Sequence, residues 1–257
     1  MTDEREAIAK VRSTFGELEA HRERWSVATP PPAGSALAAD DEAWPSNPLS
    51  SHVRQCLTCA WDHFDLIKLT IDQERGYPTA TFSVIRGALL GSAQALWLLL
   101  PEEPSARRER GLAVSQEWYS KRIQWQCALS PDLNVEDAAR SGEQLRRLDK
   151  DLAAVLELRS KKFTLNSTLI IEEAAKASFD GARFVREATR EWRRLGGDAH
   201  ALGWPLLGQN TTWGERGPDG LSEATVVGNL VSVANAYLLA WTIYQRAIDR
   251  HDELATL

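Results

Sequence analysis

Twenty-two consecutive residues, Ala224 to Gln245, carry no charge, and any fold for this chain must decide where to put them. As an α-helix rising about 1.5 Å per residue, the run is long enough to cross a bilayer. It also holds Thr225, Asn229, Ser232, Asn235, Thr242 and Gln245, side chains that are costly in lipid without partners. The run therefore predicts a buried central helix over about residues 222–251. A second apolar helix, about 79–100, sets Phe82, Ile85, Leu89, Ala93, Leu96 and Leu100 along one side and stops at Pro101. Arg86 and Gln94 are its only strongly polar interior residues. No segment alternates between apolar and polar as a half-buried strand does, and no period of 20–50 residues repeats. The expected class is all-α: a helical bundle with a central pair of strongly apolar helices and a semi-detached N-terminal helix.

That arm is residues 1–28. Asp3, Glu4 and Glu6 favour a helix N-terminus over about 3–27, and Ile8, Val11, Phe15, Leu18 and Trp25 mark one side. Thr29-Pro-Pro-Pro and Trp44-Pro-Ser-Asn-Pro48 follow, a proline density that predicts an extended linker over 29–48. The arm docks on the body or offers a surface to a protein partner. The bundle domain is residues 49–257. Its first helix starts near Leu49 and stops at Gly76. Further helices are expected over about 105–129, 136–161, 166–178 and 180–195, the last ended by Gly196-Gly197. A Gly/Trp/Pro-rich loop then runs to about 221.

The net charge of −6 argues against a protein held on nucleic acid by bulk charge and leaves room for a local basic face. Ten Trp suit a core or an interface equally. Three Cys are too few for a disulfide framework at this length. The polar start Met1-Thr-Asp-Glu-Arg-Glu has no apolar signal region. The expectation is a cytoplasmic protein with no membrane partner.

His52, Cys56, Cys59 and His63 look like a metal site when written together. On one predicted helix, however, His52 and His63 stand roughly 16 Å apart, too far to share one tetrahedral zinc. No metal or other cofactor is expected. Arg183, Arg186, Arg190, Arg193 and Arg194 instead form a stripe opposite Phe184, Ala188, Trp192 and Leu195. The stripe is either a solvated face partly neutralised by Glu187 and Glu191 or a surface that tracks phosphates. It runs into Glu191-Trp-Arg-Arg-Leu-Gly-Gly-Asp-Ala-His200-Ala-Leu-Gly-Trp204.

The Arg193-to-His200 segment resembles the Arg-x(4–6)-His motif of the HEPN superfamily (higher eukaryotes and prokaryotes nucleotide-binding). These are small helical bundles, many of them metal-independent ribonucleases of toxin and phage-defence systems. The segment is also similar to a group of uncharacterised actinobacterial helical proteins. There an aromatic-Arg pair precedes Ser-Gly-x-Ala-His-Gly-x-x-Trp, and an Arg-bearing apolar helix far upstream ends in Trp-Leu-Leu-x-Pro. Arg86 to Pro101 fits that upstream element. The serine is Gly196 here and the glycine after the histidine is Ala201.

The resemblance implies RNA binding or cleavage, with Arg193 and His200 as catalytic residues and Arg183, Arg186, Arg190 and Arg194 as RNA contacts. It also implies a homodimer that brings two motifs together. The chemistry is coherent: a histidine can move the 2′-hydroxyl proton, and an arginine can stabilise the phosphorane. Alternatively, His200 caps a helix or satisfies a core polar group. The chain would then be a helical interaction or oligomerisation protein, or a binder of small ligands anchored by Arg86, Gln94, Asn229 and Asn235 between the two apolar helices.

Overall fold

The computed structural model describes residues 2–161, 163–207, 211–226 and 229–257. It is dominated by α-helices, as the periodicity predicts. The chain divides into two compact units, one of Met1–Thr29, Arg54–Trp97 and Ser167–Arg250, the other of Pro30–Val53, Leu98–Asn166 and His251–Leu257.

In the first unit the N-terminal arm is two helices, α1 (Thr2–Arg12) and α2 (Phe15–Ser26). The predicted single helix breaks where Ser13 Oγ and Thr14 Oγ1 donate to the carbonyls of Lys10 and Val11, a local bond that competes with helix continuation. The arm is packed. Val11 and Leu18 are fully buried, Thr14 Oγ1 lies 2.8 Å from the Tyr237 hydroxyl, and Trp61 Nε1 donates to Leu18 O at 2.8 Å. Around this contact Phe64 of α4 (Leu49–Asp72) meets Tyr237, Trp241 and Tyr244 of α11 (Leu230–Ala255) edge-on, with ring centroids 5.1–5.4 Å apart. Burial pushes the Tyr237 phenol up to about 12.

Helix α5 (Ala80–Leu99) is the second strongly apolar helix. Among the described residues it is the one long and apolar enough to cross a membrane, and 61% of its most apolar window is buried, as in a core helix. Helices α8 (Ser167–Ser178), α9 (Ala182–Ala199) and the short α10 (Trp204–Leu207) complete the helical part of this unit.

Two strands interrupt the expected helical C-terminal region. β1 (Thr211–Arg216) and β2 (Ser222–Val226) form an antiparallel hairpin, pairing Thr212 with Thr225 and Trp213 with Ala224. The expected absence of a sheet is therefore corrected, and the last helix starts at Leu230 rather than near 222. Gly217-Pro-Asp-Gly220 supplies the turn, with Gly220 at φ 81° and Leu221 N donating to Asp219 Oδ1. Thr211, Thr212 and Thr225 suit strands. Residues 227 and 228 of the uncharged run, and 208–210 of the expected loop, lie outside the described residues.

In the second unit, the stretch expected to be an extended linker contains α3 (Ala36–Asp41), capped by Ser35 Oγ accepting from Ala38 N. Three prolines end upstream of it, so they do not oppose it. Leu37 is fully buried, and the almost fully buried Asp40 accepts from Arg107 Nε at 2.5 Å and Arg108 Nε at 3.1 Å. Both arginines come from α6 (Pro104–Leu129). Helix α6 pairs with α7 (Val135–Leu158) around Leu112, Tyr119 and Val155. The imidazole of His52, buried beside Ser115 Oγ at 2.8 Å, is pushed down to about 4 by burial.

Candidate nucleic-acid interface

Helix α9 buries Ala188, Trp192 and Leu195 and exposes Arg183, Arg186, Arg190 and Arg193. It begins at Gly181 (φ 98°) and is held to α5 by reciprocal stacking. Arg86 of α5 lies 4.0 Å from the Trp192 ring, and Arg194 of α9 lies 4.0 Å from the Phe82 ring. Trp192 Nε1 donates to Thr168 Oγ1 of α8 at 3.2 Å. These contacts fix the rotation of α9 and so decide which way the arginine row points.

The expected stop at Gly196-Gly197 is corrected: α9 runs through both glycines to Ala199. A Cβ on Gly197 would lie 2.5 Å from Pro205 and 2.9 Å from the Trp204 ring, so glycine here lets the chain after the helix pack back against it. The helix ends at His200. Leu202 N donates to Gly197 O and Ala201 N to Asp198 O, with Ala201 at φ 54°, the bonding of a Schellman C-cap. His200 therefore does sit at a helix end, but its backbone forms the cap and its side chain is exposed.

An open groove of 1340 Å³ runs beside α9. One wall carries Arg183, Arg186, Arg190, Arg193 and Arg194, and the other carries Ser232, Asn235, Leu238, Leu239 and Thr242 of α11. Phe179, Phe184 and Trp204 also line it. Its three carboxylates are each already neutralised. Glu172 pairs with Lys176 at 2.7 Å, Glu187 with Arg183 at 3.0 Å, and Glu191 with Arg194. Arg186, Arg190 and Arg193 are exposed and have no hydrogen bond or ion pair among the described residues. The groove thus holds three uncompensated guanidinium groups along roughly 10 Å of helix.

The predicted site residues accordingly separate. Arg186, Arg190 and Arg193 are brought together as free cations, Arg183 is tied to Glu187, and Arg194 is engaged by Glu191 and Phe82. His200 is not among the groove-lining residues. It lies on the same side of α9 as Arg193, about two turns and roughly 10 Å further along. Phe184, read from sequence as part of the buried side, is 50% exposed and stacks on Phe179 with centroids 6.1 Å apart. Asp198, between the two motif residues, has a nearly buried side chain whose Oδ2 lacks a hydrogen-bond partner, with Arg194 Nη1 3.8 Å away. Burial raises its pKa against the opposing pull of Arg194.

Helices α5 and α9 also meet at Arg86 and Gly196. Arg86 Nε is buried without a hydrogen-bond partner, and a Cβ on Gly196 would lie 3.8 Å from it. Burial lowers the pKa of this guanidinium. Gly196 of α9 thus faces the arginine of the upstream apolar helix.

The other candidate ligands are used locally. Asn229 Oδ1 accepts from Ser232 N at the start of α11, and Arg86 is spent on Trp192. His63 Nδ1 lies 2.7 Å from Cys59 O while His52 is with Ser115. Among the described residues no cluster of three or more His, Cys, Asp or Glu could hold a metal ion. No protein-family model, curated protein or solved structure matches the chain.

Proposed function

We propose that this protein binds RNA along the α9 groove, as a HEPN-like helical protein. The observation that carries the reading is the charge balance of the groove: every carboxylate lining it is paired, and Arg186, Arg190 and Arg193 are exposed and unpaired. A bidentate guanidinium suits phosphate oxygens, and a row at helical spacing can follow a phosphate backbone. A locally basic groove on a chain of net charge −6 directs an anionic strand to that face and away from the rest.

A cleaving activity is the finer reading, favoured by one observation: Arg193 and His200 are both exposed on one side of the same helix. His200 would take the 2′-hydroxyl proton and Arg193 would stabilise the phosphorane, without a metal. Two copies in a homodimer would bring two such pairs to one substrate. The test is incubation with mixed single-stranded RNA in chelator. Cleavage leaving 2′,3′-cyclic phosphate ends, abolished in both His200→Ala and Arg193→Ala, is the expected result. Binding without cleavage would remove the ribonuclease and leave the RNA-binding protein. Neither binding nor cleavage would leave a helical interaction protein.

A further inference from the structure

Resting on the reading of the groove as an RNA site, we infer that Phe184 and Trp204 are base-stacking platforms at its two ends, making it selective for a single strand of about six nucleotides. Both rings line the groove, and they are 50% and 53% exposed. Large aromatics left half in water beside unpaired arginines are poorly placed for the core and well placed for a ligand with both charge and a flat apolar face.

Each ring is held in place by a neighbour and keeps about half its surface in water. Phe184 stacks on Phe179 at an interplanar angle of 26°, which leaves its other face open. Trp204 packs against Gly197, where a Cβ would lie 2.9 Å from Nε1 and Cε2.

Spacing sets the length. Trp204 stands abreast of Gly197, 13 residues beyond Phe184 and hence roughly 20 Å along the helix axis. At about 3.4 Å per stacked nucleotide, roughly six nucleotides connect the rings. Along the helix axis Arg186, Arg190 and Arg193 lie between them, across α9 from Phe184 but lining the same groove, where the intervening phosphates must pass. A duplex cannot use this arrangement, because its bases are stacked on one another and their faces are not offered to protein. An acidic peptide could meet the arginines and would gain nothing from the platforms. The groove therefore selects a single-stranded nucleic acid.

The experiment is fluorescence anisotropy of the full chain with labelled oligouridylates of three, six and nine nucleotides, a 12-base-pair RNA duplex, and polyphosphate as a base-free probe. Affinity is expected to rise steeply from three to six nucleotides and little thereafter, and the six-mer should outbind the duplex at least tenfold. Phe184→Leu and Trp204→Leu should each weaken six-mer binding about five- to a hundredfold and leave polyphosphate unchanged. Phe184→Tyr and Trp204→Phe should restore most of the loss, which a merely structural role of either ring would not require. Equal binding of duplex and single strand, with silent aromatic variants, would overturn the platforms while the cationic groove stands. Competition by polyglutamate as effective as that by the six-mer would overturn the choice of nucleic acid. No binding by any probe, polyphosphate included, would overturn both readings.

Discussion

Ala201→Gly should stabilise the protein, and the reason lies in the cap that ends α9. Ala201 sits at φ 54°, in the left-handed region, as the C′ residue of a Schellman motif whose bonds run from Leu202 N to Gly197 O and from Ala201 N to Asp198 O. Holding an L-residue with a Cβ there costs roughly 1–2 kcal/mol. Glycine removes that strain but adds about 0.4–1 kcal/mol of unfolded-state freedom. The net gain is therefore about 0.8 kcal/mol, the centre of a range of roughly 0 to 1.6 kcal/mol. For a chain of this size it appears as a rise in Tm of roughly 1–4 °C. Urea titration and calorimetry of wild type and variant at one pH measure it, and RNA affinity should not move. An unchanged or lowered midpoint would refute the cap geometry, and with it the path that returns Trp204 to α9.

Three other outcomes follow from the structure. Asp40→Ala removes the carboxylate that, among the described residues, pairs with Arg107 and leaves that guanidinium buried at 3% exposure. Destabilisation of about 3–5 kcal/mol is expected in urea titration, with easier proteolysis between residues 29 and 48. His52 has a folded-state pKa of about 4 against an ordinary 6.5. The unfolded chain then binds its proton first, so stability present above pH 6.5 is lost as pH falls toward 4; His52→Gln should flatten that part of the pH–Tm curve. Gly196→Ser places a hydroxyl within reach of the unpartnered Arg86 Nε and replaces a mid-helix glycine. It should add about 1–2 kcal/mol by the same assays, and a loss of stability would refute the Arg86–Gly196 juxtaposition.

Much of the helical fold is legible in the sequence. The 3.6-residue period of α4 reflects the one side it buries, and the nearly continuous apolar character of α5 reflects burial all round; both signals lie in the residues themselves. The departures have local physical causes. The proline-rich segment folded into α3 because Asp40 found two arginines some 67 residues away, a pairing no local pattern reports. The hairpin was hidden because the uncharged run crosses β2 into α11, although Gly217-Pro-Asp-Gly220 was a turn signal in plain view. The pair Gly196-Gly197 suggested a helix end, yet the tight approach of Trp204 and Pro205 explains at least one of those glycines inside the helix.

At the site, the arginine row followed from helical geometry alone. Which arginines are free did not, because it depends on the tertiary contact of Arg194 with Phe82 and on the ion pairs along the groove. Trp204 closed the motif that carried the resemblance, but its place beside Gly197 required the αL turn at Ala201. Phe184 fell on the apolar side of the helical wheel, and its exposure shows that the wheel assigns a side and not a depth.

The central claim is that Arg186, Arg190 and Arg193 form one phosphate-tracking row, and salt dependence tests it most directly. The slope of log affinity for a single-stranded RNA against log salt should fall in magnitude by about 2 in the Arg186→Gln, Arg190→Gln, Arg193→Gln triple variant, as three released counterions per strand require. A control with Arg140→Gln, Arg146→Gln and Arg147→Gln, charges on the exposed side of α7, should leave the slope unchanged. Equal slopes for wild type and the α9 variant, or a loss of slope shared by the α7 control, would contradict the account.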